Sequence, residues 1–350
     1  MIDAGKARAR FENRKKRGEA VRRQYCDIAT VNESFYAGDQ WSALLTHGGH
    51  VAIERDAWFD KEGIPRISGN LFTGLHQTWS ALLSRGKPTV RAVAASSEPE
   101  DTYRAEVGQS VIEFLQRELN TGEKTSVLVQ TMASGGTAVL KVFYVPPRDG
   151  KPGGVHWTVC SVHDALLDPS AENDEDARWV AFQSYVSIEE ADEELRAADI
   201  EVEASDLEGL ETQYRNGANE TLMGVERWEL WEMPSREYPK GLYMCLVGTH
   251  VVEAIDNPHV FPTADGGEEY CLPSIVCRAR RQRGSAYGRT NFTDIVPLQR
   301  AYNENISRTQ KAVRKSNALH LLYPAELPDM KTEDDNIIRF PMAKAMAAKA

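Results

Sequence analysis

The sequence has no Cys-x-x-Cys pair, no Gly-x-x-x-x-Gly-Lys-Ser/Thr phosphate loop and no His-Glu-x-x-His. It therefore lacks the common zinc, nucleotide and metalloprotease patterns. Its five cysteines (Cys26, Cys160, Cys245, Cys271, Cys277) are scattered and odd in number. That usage points to reduced thiols rather than a disulfide framework. No apolar run approaches about 18 residues, and the basic N-terminus has no apolar core of a signal peptide. The expectation is a chain made and kept in the cytoplasm, with no membrane partner, no metal and no cofactor. Internal repeats are absent too.

What is present is charge in blocks. The net charge of −11 conceals nine Lys/Arg against three Asp/Glu in residues 1–25, sixteen acids against two arginines in 168–211, and ten bases against two acids in 278–315. Such segregation suits an assembly whose faces meet different partners. Hydrophobic and charged fractions of 41% and 27% indicate a globular chain with enough length for two or three lobes.

The first forty residues predict a helix with Val21, Tyr25, Ile28 and Phe35 on one side, stopped by Gly38. Its basic head, ARARFENRKKR, is either a solvated face or a face for an anionic partner. Ile67–Leu83 is apolar enough for a buried helix, and 101–119 predicts an amphipathic helix with Tyr103, Val107, Val111, Phe114 and Leu115 inward. A helix over 123–134 ends at Gly135-Gly136. Thr137–Val145 and Val155–Val162 then read as paired strands across a Pro/Gly-rich connection. Ser187 and Glu190 form a capping-box start to an acidic helix. Val225–Trp231 and Leu242–Ala254 alternate as a hairpin or small sheet. Trp228 and Trp231, three apart on a strand, face opposite ways, one inward and one exposed as a protein contact.

Candidate chemistry fails on spacing. Gly284-Ser285-Ala286-Tyr287-Gly288 misplaces the serine of a nucleophile elbow and reads as a turn. In Gly135–Lys141 the lysine lies too close to the glycines for a kinase loop. Asp168, Asp174, Glu175 and Asp176 lack the glycine and terminal glutamate of a calcium loop. His250, His259 and Glu253 match no zinc spacing. No catalytic residues are assigned and no enzyme is expected.

The richest stretch is 278–315. Four arginines in six residues (Arg278, Arg280, Arg281, Arg283) lead through a turn into a long amphipathic helix. At about 100° per residue, Arg300, Glu304, Arg308, Lys311, Arg314 and Lys315 share an arc of roughly 120°. Ile295, Leu298, Tyr302, Ile306, Thr309 and Val313 share one of roughly 80° on the opposite side, expected to be buried. The basic arc is expected to meet water or an anion.

Five stretches in order carry a family resemblance: Phe35-Tyr36-Ala37-Gly38-Asp39-Gln40-Trp41; Gly135-Gly136-Thr137-Ala138-Val139-Leu140-Lys141-Val142; Asp168-Pro169-Ser170-Ala171 ahead of Asp176-Ala177-Arg178-Trp179-Val180; Arg283-Gly284-Ser285-Ala286-Tyr287-Gly288; and Pro297-Leu298-Gln299-Arg300-Ala301-Tyr302-Asn303 with Ser307. Together they resemble the portal proteins of tailed bacteriophages, the short-tailed phages in particular. The resemblance implies an α+β subunit with a wing, a long stem helix and a small β-rich clip. It also implies a ring, usually of twelve copies, at one capsid vertex, through which double-stranded DNA is packaged and ejected. Implied partners are the terminase packaging motor, the tail adaptor, and capsid and scaffolding proteins.

The expected layout is a basic N-terminal helix (1–40), wing (41–165), acidic segment and β-rich lobe with the clip (166–285), stem helix (286–318) and a return toward the wing (319–350). The ending MAKAMAAKA reads as an unfinished helix, so a crown is expected to be missing. Within this frame Lys311, Arg314 and Lys315 are candidates for the DNA channel and Arg300, Glu304 and Arg308 for stem packing between subunits. Trp228 and Trp231 are candidates for clip contacts. The rival readings are another head-tail adaptor ring and a nucleic-acid enzyme. The latter needs an acidic metal cluster or a phosphate loop.

Overall fold

The computed structural model describes residues 2–47, 50–55, 64–86, 90–145, 153–215, 221–263, 266–317, 321–324 and 337–340. The chain mixes helix and sheet in the α+β class and divides into two compact units. Unit 1 takes Met1–Ala37 and Phe72–Ile295, and unit 2 takes Gly38–Leu71 and Val296–Ala350. The expected ending, MAKAMAAKA, lies outside the described residues.

Unit 1 is organised by a six-stranded antiparallel sheet. Its strands are β5 (Ala165–Leu167), β6 (Trp179–Val186), β7 (Glu211–Arg215), β8 (Thr221–Glu232), β9 (Leu242–Val247) and β10 (His250–Ile255). They run in the order β10-β9-β8-β6-β5, with β7 also paired to β8. Strict alternation sends Trp179, Ala181, Trp228, Leu230, Leu242, Met244 and Leu246 to one face. There Ala7 and Phe11 of helix α1 (Ala4–Ala37) cover them. The other face, with Val180, Phe182 and Trp231, packs on Val139 and Cys160 and on Tyr25 and Ala29 further along α1.

Val139 and Cys160 belong to a second sheet. It has the order β13-β3-β4, from β3 (Thr137–Val145), β4 (Gly154–Cys160) and β13 (Ser274–Arg278). The β3–β4 pair is the one read from the sequence. Because β13 joins it, the expected boundary at 165/166 runs through one shared sheet. A short hairpin, β11 (Val260–Pro262) with β12 (Glu268–Tyr270), lies in the same unit. In unit 2, β1 (Ser42–His47) pairs antiparallel with β2 (His50–Arg55), and β14 (Leu321–Pro324) pairs parallel with β15 (Ile337–Phe340).

The remaining helices of unit 1 are α2 (Leu71–Arg85), α3 (Pro99–Glu118), α4 (Thr121–Gly135), α5 (Ile188–Ala197) and α6 (Ala204–Gly209). Gly38, at φ +94°, stops α1 where expected. Ser187 and Glu190 form the expected capping box on α5.

Several expectations are corrected, and one left open is resolved. Trp228 and Trp231 do face opposite ways, but both are buried, at 1% and 7% exposure, because each face of the sheet has its own cover. Neither offers the exposed contact expected of one of them, whereas Phe261 on β11 is exposed. The basic head of α1 is not simply solvated. Glu232 receives Arg10 at 2.5 Å and Arg14 at 2.9 Å, and Lys15 lies 4.5 Å from the Trp228 ring centre. Its anionic partner is therefore in its own sheet. Finally, α3 buries none of its twenty residues, and Tyr103, Val107, Val111 and Phe114 point outward. In α2 only Phe72, His76 and Ser80 are buried, while Leu75, Leu82 and Leu83 are exposed.

A part-buried ionic chain centres on the buried Glu229. Lys141 of β3 meets Glu229 at 2.6 Å, Arg227 meets Glu229 at 2.8 Å, and Arg227 also reaches Glu194 at 3.1 Å. Burial works against the Glu229 carboxylate. The adjacent Lys141 and Arg227 cations outweigh it and hold its pKa below the ordinary range.

Candidate functional site

The long helix read as a stem is α7, Phe292–Asn317. Its buried side within unit 2 is neither the basic nor the apolar arc. Gln299, Asn303 and Ser307, at successive four-residue steps, are all buried. Gln299 donates to the Gly69 carbonyl at 2.8 Å and to Asn303 Oδ1 at 2.9 Å. Asn303 Oδ1 also accepts from the Gly69 amide at 3.1 Å, and its Nδ2 donates to Gln40 at 2.7 Å. Gln40 in turn donates to Asn70 at 2.7 Å, and Ser307 accepts from the Ile67 amide at 3.1 Å. An extended segment has no helical or sheet partners for its amides, so side chains of α7 supply them.

This corrects the expected orientation. The apolar arc is largely outward: Leu298 is 70% exposed, Tyr302 and Val313 are exposed, and Ile306 is half-buried. The basic arc is outward as well. Arg300, Arg308, Arg314 and Lys315 are exposed, and Glu304 and Lys311 are half-buried. Glu304 pairs with Arg308 at 2.5 Å, one turn along the helix. A polar seam thus anchors α7 and leaves one basic and one apolar stripe on its surface. Sequence reasoning missed the seam, although a Gln/Asn/Ser row at four-residue spacing was visible between the two arcs.

No protein-family model and no curated protein matches this sequence.

The other stretches singled out in the sequence converge inside unit 1. Gly136, at φ +76°, lies so close to the 288–290 backbone that a Cβ would sit 2.8 Å from Gly288 O, Arg289 C and Thr290 N. The Gly288 amide donates to Thr137 Oγ1 at 2.8 Å. Fully buried Tyr287 stacks on Tyr25 of α1 at 4.8 Å and accepts from the Leu167 amide at 3.0 Å. Just beyond, Asp168 accepts from the Ser170 amide, the Ser170 hydroxyl and the Arg178 amide, which fixes the Asp-Pro-Ser turn. Asp174 receives Arg278 at 2.9 Å. The five stretches therefore form two structural junctions, one in each unit, made of groups that need specific partners.

Gly136→Ala is expected to destabilise unit 1 by about 2 kcal/mol or more, from left-handed strain plus displaced backbone. A thermal midpoint unchanged from wild type would contradict that packing.

Unit 1 also holds an open cleft of about 770 Å³, with Arg22, Glu33, His76, His163, Asp164 and Tyr185 in its lining. Arg22 is committed to the His163 carbonyl at 2.8 Å and to Gln183 at 3.2 Å. His163 lies 3.6 Å from Glu33. Among the described residues no group of three His, Cys, Asp or Glu gathers that could hold a metal ion, and no helix is long and apolar enough to cross a membrane.

Proposed function

We propose that this chain is a portal-type subunit: it closes into a ring at one capsid vertex and lines a channel for double-stranded DNA. It would act in the virion after assembly in the host cytoplasm. The observation that carries the reading is the exposure of two unlike stripes on one anchored helix. The basic stripe suits a polyanion, and the apolar stripe suits a protein neighbour. The order of the five family-like stretches supports it, as do their tightly bonded junctions.

Lys311, Arg314 and Lys315 are the residues we assign to passing DNA, and Arg300, Glu304 and Arg308 to stem packing. At 1.5 Å per residue α7 spans about 39 Å, on the order of a dozen base pairs. Too many bare cations would arrest sliding, and the Glu304–Arg308 pair moderates the stripe. In this reading the subunit hydrolyses nothing, and ATP turnover belongs to a separate terminase motor. Motor, adaptor, capsid and scaffolding proteins dock on surfaces other than the two tryptophans.

The expected result for Lys311→Ala with Lys315→Ala is an intact ring whose DNA retention weakens and loses part of its salt dependence. Fewer phosphate contacts give a shallower slope of log affinity against log salt. Unchanged retention at low salt would remove the channel role. A head-tail adaptor ring shares the stripes and remains the second reading. It would show ring formation and adaptor binding without support of packaging by the motor.

A further inference from the structure

Helix α3 is anomalous by its own energetics. It runs twenty residues without burying one side chain. Helices in folded proteins are held mainly by packing of an apolar face, not by propensity alone. That face exists: Tyr103, Val107, Val111 and Phe114, spaced by four, four and three, are each 45% exposed or more. One border carries Glu106 and Glu113, and the helix as a whole has five acids against two bases.

A matching stripe lies elsewhere in the chain. On α7, Leu298, Tyr302, Ile306, Thr309 and Val313 repeat at four, four, three and four residues. That helix carries five bases against two acids. The two stripes share a period that lets ridges interlock, and the helices bear net charges of −3 and +3 by those counts.

We propose that α3 of one copy packs on the apolar stripe of α7 of the next copy. The contact is heterologous and head-to-tail, and the opposite net charges of the two helices favour it. Each chain then carries both halves, the condition for a closing ring. The four α3 side chains offer on the order of 350 Å² of apolar surface, near half of the ~800 Å² per partner in a stable interface. Each subunit makes the contact twice, so closure multiplies it. The inference deepens the ring reading and rests on it only in requiring self-association.

The test uses the full chain and two variants, Val107→Glu/Val111→Glu on α3 and Leu298→Glu/Val313→Glu on α7. All these positions are outward, so circular dichroism and thermal midpoint should match wild type. Native mass spectrometry should show wild-type rings and each variant alone as monomer. A one-to-one mixture should give a dimer and nothing larger, because one intact α3 meets one intact α7. In parallel, Val111→Cys and Thr309→Cys chains should form a disulfide only when mixed under oxidation, beyond a wild-type control.

Rings persisting in the α3 variant would overturn the contact while leaving the ring reading in place. The same holds for a mixture without dimer, or for a crosslink within single Val111→Cys/Thr309→Cys chains. A wild-type monomer at all concentrations would sink both.

Discussion

Trp228→Ala should cost unit 1 about 3–5 kcal/mol, the range for emptying a large aromatic site. Domains of this kind are stable by only about 5–15 kcal/mol. Trp228 sits on β8, an interior strand of the six-stranded sheet, 5.5 Å from the Phe11 ring, with the Lys15 ammonium 4.5 Å from its centre. Truncation removes the floor under the first turns of α1 as well as the packing of β6 and β9. Trp231→Ala should behave alike from the opposite face, where the indole lies 4.4 Å from the Tyr243 ring. Denaturant unfolding followed by intrinsic fluorescence from the remaining tryptophans reads both. A variant of wild-type stability that assembles but fails to bind motor or adaptor would restore the contact role that burial removes.

The second large effect is expected at Asn303. Asn303→Leu keeps the branching at Cγ, with bulkier methyl ends, but withdraws both acceptor and donor, leaving the Gly69 amide, Gln299 and Gln40 without those bonds. Each buried polar group left unpaired costs about 1–3 kcal/mol, so the sum is on the order of 3 kcal/mol or more. The loss should be local. Hydrogen exchange should accelerate at the amides of 67–70 and along α7, while β6 and β8 keep their protection. Uniform loss across both units would show that the network does not belong to unit 2 alone. Wild-type protection at 67–70 would show that the network carries little.

Much of the backbone was legible in the sequence. A helix ends where glycine can take positive φ, so Gly38 stopped α1; a serine three residues before a glutamate capped α5; and alternation put Trp228 and Trp231 on opposite faces. What hydropathy did not settle was which face meets what. On α7 the anchoring side is a row of amides and a hydroxyl, because its neighbour is an extended segment rich in unpaired backbone groups. On α3 the apolar stripe faces outward, and a stripe that meets a second copy has the same pattern as one that meets its own core. The tryptophans erred in the other direction. A strand with two apolar faces is ordinary when both sides of its sheet are covered, and the cover comes from α1 and from β3, β4 and β13, distant in sequence.

The candidate residues divide in the same way. The basic arc of Arg300, Arg308, Lys311, Arg314 and Lys315 was readable because charge periodicity needs only one helix. The junction of Gly136 with Gly288, and of Tyr25 with Tyr287, was not, since it joins segments more than a hundred residues apart.

A closed ring with a channel lined by α7 is the proposed assembly. Electron micrographs of the purified full chain, averaged in end-on view, test it most directly. Rings with a central hole, with copies related by rotation about it, are the expected result. A uniform population of single subunits at high protein concentration, or closed dimers without a hole, would contradict it.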